Sequence, residues 1–189
     1  VDYFGRWKAS HYQVKRSFEN LLVSFDADDS NFLIYVVNDN PEQISGVIEV
    51  VLYDFKGKVI WDAIATGNTT GNSSELLMEI PKKEFDKFSL NDVVLQASIT
   101  TDNRIVKSEF YFVKPKELKL TKPTIQITKI DDLTIEITSD VLAKNVFLSS
   151  DEEAFFSDNY FDLIPNEKKI IKLSNPIEII QIKSLFDTL

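Results

Sequence analysis

The chain offers few residues suited to chemistry. Histidine occurs once, at His11, and cysteine is absent. Without thiols there can be no disulfide, no thiolate metal site and no cysteine nucleophile. A serine–histidine–aspartate triad would have to use His11, yet the sequence holds no Gly-x-Ser-x-Gly elbow. A metal site built from clustered histidines needs more than one imidazole. Carboxylates are the abundant functional groups, 30 against 21 lysines and arginines. Glycosidase chemistry needs a pair of them, one as acid and one as nucleophile or base, but here they fall mostly at turns and on polar strand faces, which suits solvation. The densest group, Asp26-Ala27-Asp28-Asp29-Ser30-Asn31, invites a calcium reading. The EF-hand pattern fails, because Asn31 stands at the sixth position in place of glycine and Val37 at the twelfth in place of glutamate. A solvated turn is the first reading, and a non-EF cation site around Asp26, Asp28 and Asp29 is the second. Asp151-Glu152-Glu153 reads as an exposed acidic turn. Trp61 and Tyr53 raise the question of a flat sugar platform. Trp61, however, alternates with Val59, Ala63 and Ala65, small apolar neighbours that suit a core tryptophan. Asn68-Thr69-Thr70 and Asn72-Ser73-Ser74 match the glycosylation acceptor pattern, within a stretch, Thr66–Ser74, whose composition reads as a loop. No catalytic, cofactor-binding or metal-binding residue is assigned from these groups, and no cofactor.

The elements that would have to position any site are nearly all strands. The exception is the start of the chain, where Phe4, Trp7, His11, Val14 and Phe18 recur at steps of 3, 4, 3 and 4, one stripe of an amphipathic helix. From Leu21 onward the pattern alternates with period 2. Strands are expected at Leu21–Phe25, Phe32–Val37, Val47–Phe55, Lys58–Ala65, Leu76–Ile80, Asp92–Thr100 and Ile105–Val113, with one helical turn over Pro81–Phe88. Seven strands at roughly 10-residue spacing form the pattern of an immunoglobulin-like sandwich. Lys114–Pro123, bounded by two prolines, reads as a stiff extended connector. A second, smaller set follows: Thr124–Ile130, Leu133–Thr138, Asn145–Ser149, Tyr160–Leu163, Lys169–Leu173 and Pro176–Lys183. Phe155, Phe156, Tyr160 and Phe161 crowd one stretch, and alternation cannot bury all four. The fold class is therefore mainly β: an N-terminal helix followed by two immunoglobulin-like antiparallel sandwiches. The divisions are 1–20, 21–113, a linker 114–122, and 123–189.

Charge narrows the partners. The net charge of −9 argues against nucleic acid and against anionic membranes, and no apolar run approaches the ~18 residues of a membrane helix. Residues 1–20 carry +2, residues 21–113 carry 7 basic and 15 acidic side chains, and residues 114–189 carry 10 and 13. A basic helix beside an acidic neighbour suits docking. The compartment stays open, and a periplasmic or secreted bacterial protein fits the absence of cysteine.

Two stretches are specific enough to point to a family. Asp2-Tyr-Phe-Gly-Arg-Trp-Lys-Ala-Ser-His-Tyr-Gln-Val-Lys-Arg16 looks like the final helix of the catalytic barrel in family 2 glycoside hydrolases of the β-mannosidase type. Asp158-Asn-Tyr-Phe-Asp-Leu-Ile-Pro-Asn-Glu-Lys-Lys169 resembles the signature of that family's C-terminal immunoglobulin-like domain. Ser10 departs from the usual leucine, and Asn166 from the usual glycine, a change that asparagine's tolerance of the left-handed conformation accommodates. The resemblance implies a larger parent in which a (β/α)8 barrel precedes these sandwiches. The parent would be a retaining enzyme that removes terminal β-mannose with two glutamates at barrel strand ends, positions that no residue of this chain matches. The expected role of the chain is non-catalytic and structural, with the upstream barrel as partner. The rivals are a carbohydrate-binding module and a protein-interaction or adhesin-like sandwich. Without the barrel, the Phe4–Trp7–His11–Val14–Phe18 stripe is expected to fold back on the first sandwich, to form a homodimer, or to fray.

Overall fold

The computed structural model describes residues 7–152 and 154–188. Phe4 of the aromatic stripe lies outside the described residues, as do Asp2–Arg6 of the first motif and Glu153. Contacts divide the chain into two units. One comprises Phe18–Asp54 with Lys58–Lys119, and the other comprises Val1–Ser17, Phe55–Gly57 and Leu120–Leu189.

The larger unit is built from long alternating strands. Strands β1 (Leu21–Ala27), β2 (Asn31–Asn38) and β5 (Ser73–Pro81) form one antiparallel sheet in the order β1-β2-β5. Strands β3 (Ile44–Asp54), β4 (Val59–Thr69), β6 (Val93–Thr100) and β7 (Ile105–Phe110) form the other, in the order β4-β3-β6-β7. A period close to 2 lets most of these strands give one face to a shared core, while β6 is buried on both faces from Val93 to Ile99. Ile34 and Val36 from one sheet and Ile48, Val50, Leu52, Leu95, Ala97 and Ile99 from the other are wholly buried there. Lys82–Phe85 makes one 3-10 turn that drives Phe85 into the core, where its ring meets Phe32 and Trp61. Pro81 ends strand β5 in an extended conformation and does not open the turn as expected.

The stretch Thr66–Ser74 is mostly strand, contrary to its loop-like composition. Thr69 pairs with Ile44 and Ser73 with Asn38, so only residues 70–72 turn. Pairing partners outweighed local polarity here. Gly71 is required in that turn, since a Cβ would lie 2.0 Å from the Pro41 carbonyl oxygen. The connector also departs from a fully extended form: Pro115–Glu117 makes a 3-10 turn, and Leu118 is buried.

The smaller unit has shorter strands in two three-stranded sheets. Strands β8 (Ile125–Asp131), β9 (Thr134–Ser139) and β12 (Lys169–Lys172) run in the order β12-β9-β8. Strands β10 (Ala143–Ser149), β11 (Phe161–Leu163) and β13 (Gln181–Lys183) run in the order β11-β10-β13. The core is Ile135, Ile137, Val146, Leu148, Phe156, Phe161, Leu163 and Ile171. Of the expected Pro176–Lys183, only the last three residues pair as a strand. The helix α1 (Ala9–Ser17) belongs to this unit. Lys15 and Arg16 in its last turn complement the negative end of the helix dipole.

Candidate functional site

The aromatic stripe does not mark the buried face of α1. Among its described members Trp7 is half-buried, while His11, Val14 and Phe18 are exposed. The helix buries Tyr12 instead and turns Lys15 and Arg16 to the same side, positions i, i+3 and i+4 of one face. That face lies roughly a third of a turn from the stripe. Hydropathy alone counts tyrosine, lysine and arginine as polar, yet each buries an apolar body behind a polar tip.

The partner of this face is the segment between strands β10 and β11. Arg16 Nη1 donates to Asp158 Oδ1 and, at 3.1 Å, to the Asn159 carbonyl. Arg16 Nη2 donates to the Tyr160 carbonyl at 3.3 Å and to Gln13 Oε1 at 3.2 Å. Lys15 Nζ donates to the Ser157 carbonyl at 2.9 Å. Asp158 also binds Lys169 of β12 through its other oxygen, at 2.7 Å, so one carboxylate ties helix, loop and sheet together. The ring of Tyr12 lies 6.1 Å from that of Tyr160, and Tyr160 stacks on Phe147 at 4.9 Å. Trp7 lies 6.1 Å from Phe155. Burial pushes the Tyr12 hydroxyl above the ordinary phenol value; its hydrogen bond with the Asn159 side chain opposes that push, while Tyr160 and Asp158 add to it.

These contacts resolve the crowded aromatics. Phe156 and Phe161 enter the sandwich core, whereas Tyr160 meets the helix and Phe155 lies beside Trp7, just before the helix. The rest of the Asp158–Lys169 stretch is equally occupied. Asp162 pairs with Lys144 at 2.7 Å, both side chains 11% exposed, and accepts the Asn145 N–H at 2.7 Å. It thereby fixes a bulge in β10 where Asn145 takes φ 51°. Asn166 adopts φ 69°, the left-handed conformation for which asparagine substitutes acceptably for glycine. In the sequence Asp158, Asn159 and Asp162 stand only as letters of a pattern. The signal that links them to the helix is the opposite charge of Lys15-Arg16 and Asp158, in the two motifs of one resemblance.

The other candidates are structural in their geometry. Asp28 Oδ1 accepts the N–H groups of Ser30 and Asn31 at 2.7 and 2.6 Å, which closes a turn and holds its carboxyl below the usual range. Asp26 accepts the Ala27 N–H. Among the described residues no group of three or more histidine, cysteine, aspartate or glutamate side chains converges as metal ligands. Trp61 is half-buried with its ring 5.2 Å from that of Phe85. Glu152 accepts the Glu178 N–H at 2.9 Å. Among the described residues no helix is long and apolar enough to cross a membrane.

Residues 120–188 match the family model of an immunoglobulin-fold domain of mannosidases, and residues 30–117 match the mannosidase Ig/CBM-like domain. The chain belongs to the immunoglobulin-like regions of β-mannosidase-type family 2 glycoside hydrolases. β-Mannosidase A of Aspergillus terreus is 25% identical over 99% of this chain, and that of Aspergillus flavus 26% over 90%. The fold is shared with the β-D-mannosidase of Dictyoglomus thermophilum, at TM-score 0.83, 23% identity and 97% coverage of this chain. It is shared with an exo-chitosanase of Amycolatopsis orientalis at TM-score 0.71 and 12% identity over the same 97%. The chain spans 23% and 21% of the two Aspergillus proteins, and 24% and 28% of the two solved chains. Lys15 and Arg16 of the first motif meet Ser157–Tyr160, at the start of the second, in one contact.

Proposed function

We propose that this chain is the non-catalytic C-terminal part of a retaining β-mannosidase and that its role is structural. In this reading α1 is the last helix of a preceding (β/α)8 barrel, and the sandwiches buttress that barrel. The parent hydrolyses terminal non-reducing β-D-mannose with two glutamates outside this chain. The observation that carries the reading is the grip on α1. Tyr12, Lys15 and Arg16 are held by Ser157–Tyr160, while His11 and Val14 on another face stay exposed. A helix seated on one side and open on the other is suited to joining two bodies. The test is an assay of the purified chain on p-nitrophenyl β-mannoside. No turnover above background is expected, and robust saturable turnover would overturn the proposal.

The match of residues 30–117 to an Ig/CBM-like domain favours a second reading, a sugar-binding sandwich. Its natural platform, Trp61, packs its ring on Phe85, which is 1% exposed. Titration with manno-oligosaccharides is therefore expected to leave the tryptophan fluorescence unchanged, and a saturable shift would revive that reading.

A further inference from the structure

Strand β11 begins at Phe161, paired with Val146 of β10. Two residues further along β10, at Leu148, the chain opposite is no longer a strand. Leu148 nevertheless keeps both of its ladder bonds. Its N–H donates to Asn159 Oδ1 at 2.8 Å, and its carbonyl accepts from Asn159 Nδ2 at 2.8 Å. The carboxamide of Asn159, 3% exposed, thus replaces a peptide unit of the missing strand. Its Oδ1 also accepts the Tyr160 N–H at 3.0 Å, which stabilises Tyr160 at φ 54°, a costly conformation for an aromatic residue.

This substitution has a consequence for the main chain. Because the Asn159 side chain satisfies β10, the backbone of residues 157–160 is released from the ladder. Its carbonyls at Ser157, Asn159 and Tyr160 turn to Lys15 and Arg16. The same side chain hydrogen-bonds Tyr12. We infer that Asn159 is the positioning residue of a helix-recognition site. The site is a ledge of three carbonyls and the Asp158 carboxylate that reads a helix carrying tyrosine, lysine and arginine at i, i+3 and i+4, and its occupant is this chain's own α1. The inference concerns residues of this chain alone, so it stands or falls separately from the role of any barrel.

Amide hydrogen exchange of the full chain tests it. Asn159→Asp keeps size and both acceptor bonds but cannot donate to the Leu148 carbonyl when ionised. Exchange in α1 should accelerate by at least about tenfold, the factor that corresponds to ~1.4 kcal/mol, while β2, β3 and β6 keep wild-type rates. Acceleration confined to β10, with α1 unchanged, would mean that Asn159 only completes the sheet, and would overturn the inference. Should Asn159→Asp fail to fold, Arg16→Glu approaches from the other side. It should release α1 and leave the exchange of Leu148 unchanged, whereas continued protection of α1 would refute recognition by the ledge.

Discussion

The two units meet the same requirement, a stable antiparallel sandwich, with different means. The larger unit uses strands of 6 to 11 residues, long enough for alternation alone to fix register. A slip by one residue would turn every core side chain outward. The smaller unit has strands as short as 3 residues at β11 and β13 and 4 at β12. So short a strand offers one or two core positions, and hydrophobic patterning specifies its register weakly. Polar groups supply the missing specification. Lys144 and Asp162 pin the β10 bulge, Asn159 completes the β10 ladder, and Asp140 accepts the Thr124 N–H at 2.7 Å at the start of β8. A helix from far away in sequence adds further burial. Small sandwiches, which bury a lower fraction of their surface, can thus be completed by polar pins and by borrowed elements.

The sharpest way to break this contrast is at Lys144. Its pair with Asp162 is nearly excluded from water, and removing one partner strands the other charge. Lys144→Ala should destabilise the smaller unit by about 3–5 kcal/mol, read by urea denaturation. A loss under about 1 kcal/mol, the value of an exposed pair, would show that this unit does not depend on its polar pins.

The same difference explains what could be read in advance. Most strands of the larger unit show as alternation, because burial on one face writes itself into each second residue, whereas β2 is an apolar run over Phe32–Val37 and β6 is buried on both faces. Even there Thr66–Ser74 misled, since Thr69 is buried by its partner strand and its own neighbours do not reveal it. In the smaller unit Pro176–Lys183 reads as a strand, with four isoleucines among polar residues, yet pairing is confined to Gln181–Lys183. The seat of α1 was the least legible feature. Its determinants are a tyrosine, a lysine and an arginine that score as polar, and a ledge 142 residues away from Arg16 whose carbonyls carry no side-chain signature.

The larger unit has a polar pin of its own, and it allows a graded test. Asn38 is wholly buried at the end of β2. Its amide nitrogen donates to the carbonyls of Glu42 and Thr70 at 2.9 and 3.0 Å, and its oxygen accepts the Asn40 N–H at 3.0 Å. Asn38→Ala leaves those groups without their partner, and unsatisfied buried groups cost about 1–3 kcal/mol. The pin lies at a strand end and the strands themselves remain, so the loss should be smaller than that of Lys144→Ala. An equal or larger loss would mean that the larger unit leans on polar specification as heavily as the smaller one.

The finest comparison uses two asparagines in the left-handed conformation, Asn72 at φ 53° in the larger unit and Asn166 at φ 69° in the smaller. Alanine at either position meets the Cβ–carbonyl clash that asparagine offsets with local hydrogen bonding, a penalty of roughly 1 kcal/mol. Glycine at either position removes the clash but loosens the unfolded chain, so its net effect should stay within about 0.5 kcal/mol. If the units differ in their strands and agree in their turns, Asn72→Ala and Asn166→Ala should cost the same within the error of equilibrium denaturation. A cost at Asn166 several-fold above that at Asn72 would place part of the smaller unit's specification in the Pro165-Asn166 turn. That turn follows the buried Leu163 and Ile164 and leads toward β12, where Lys169 reaches Asp158. The excess would then measure how far the turn, together with the ledge, sets the position of the carboxylate that holds α1.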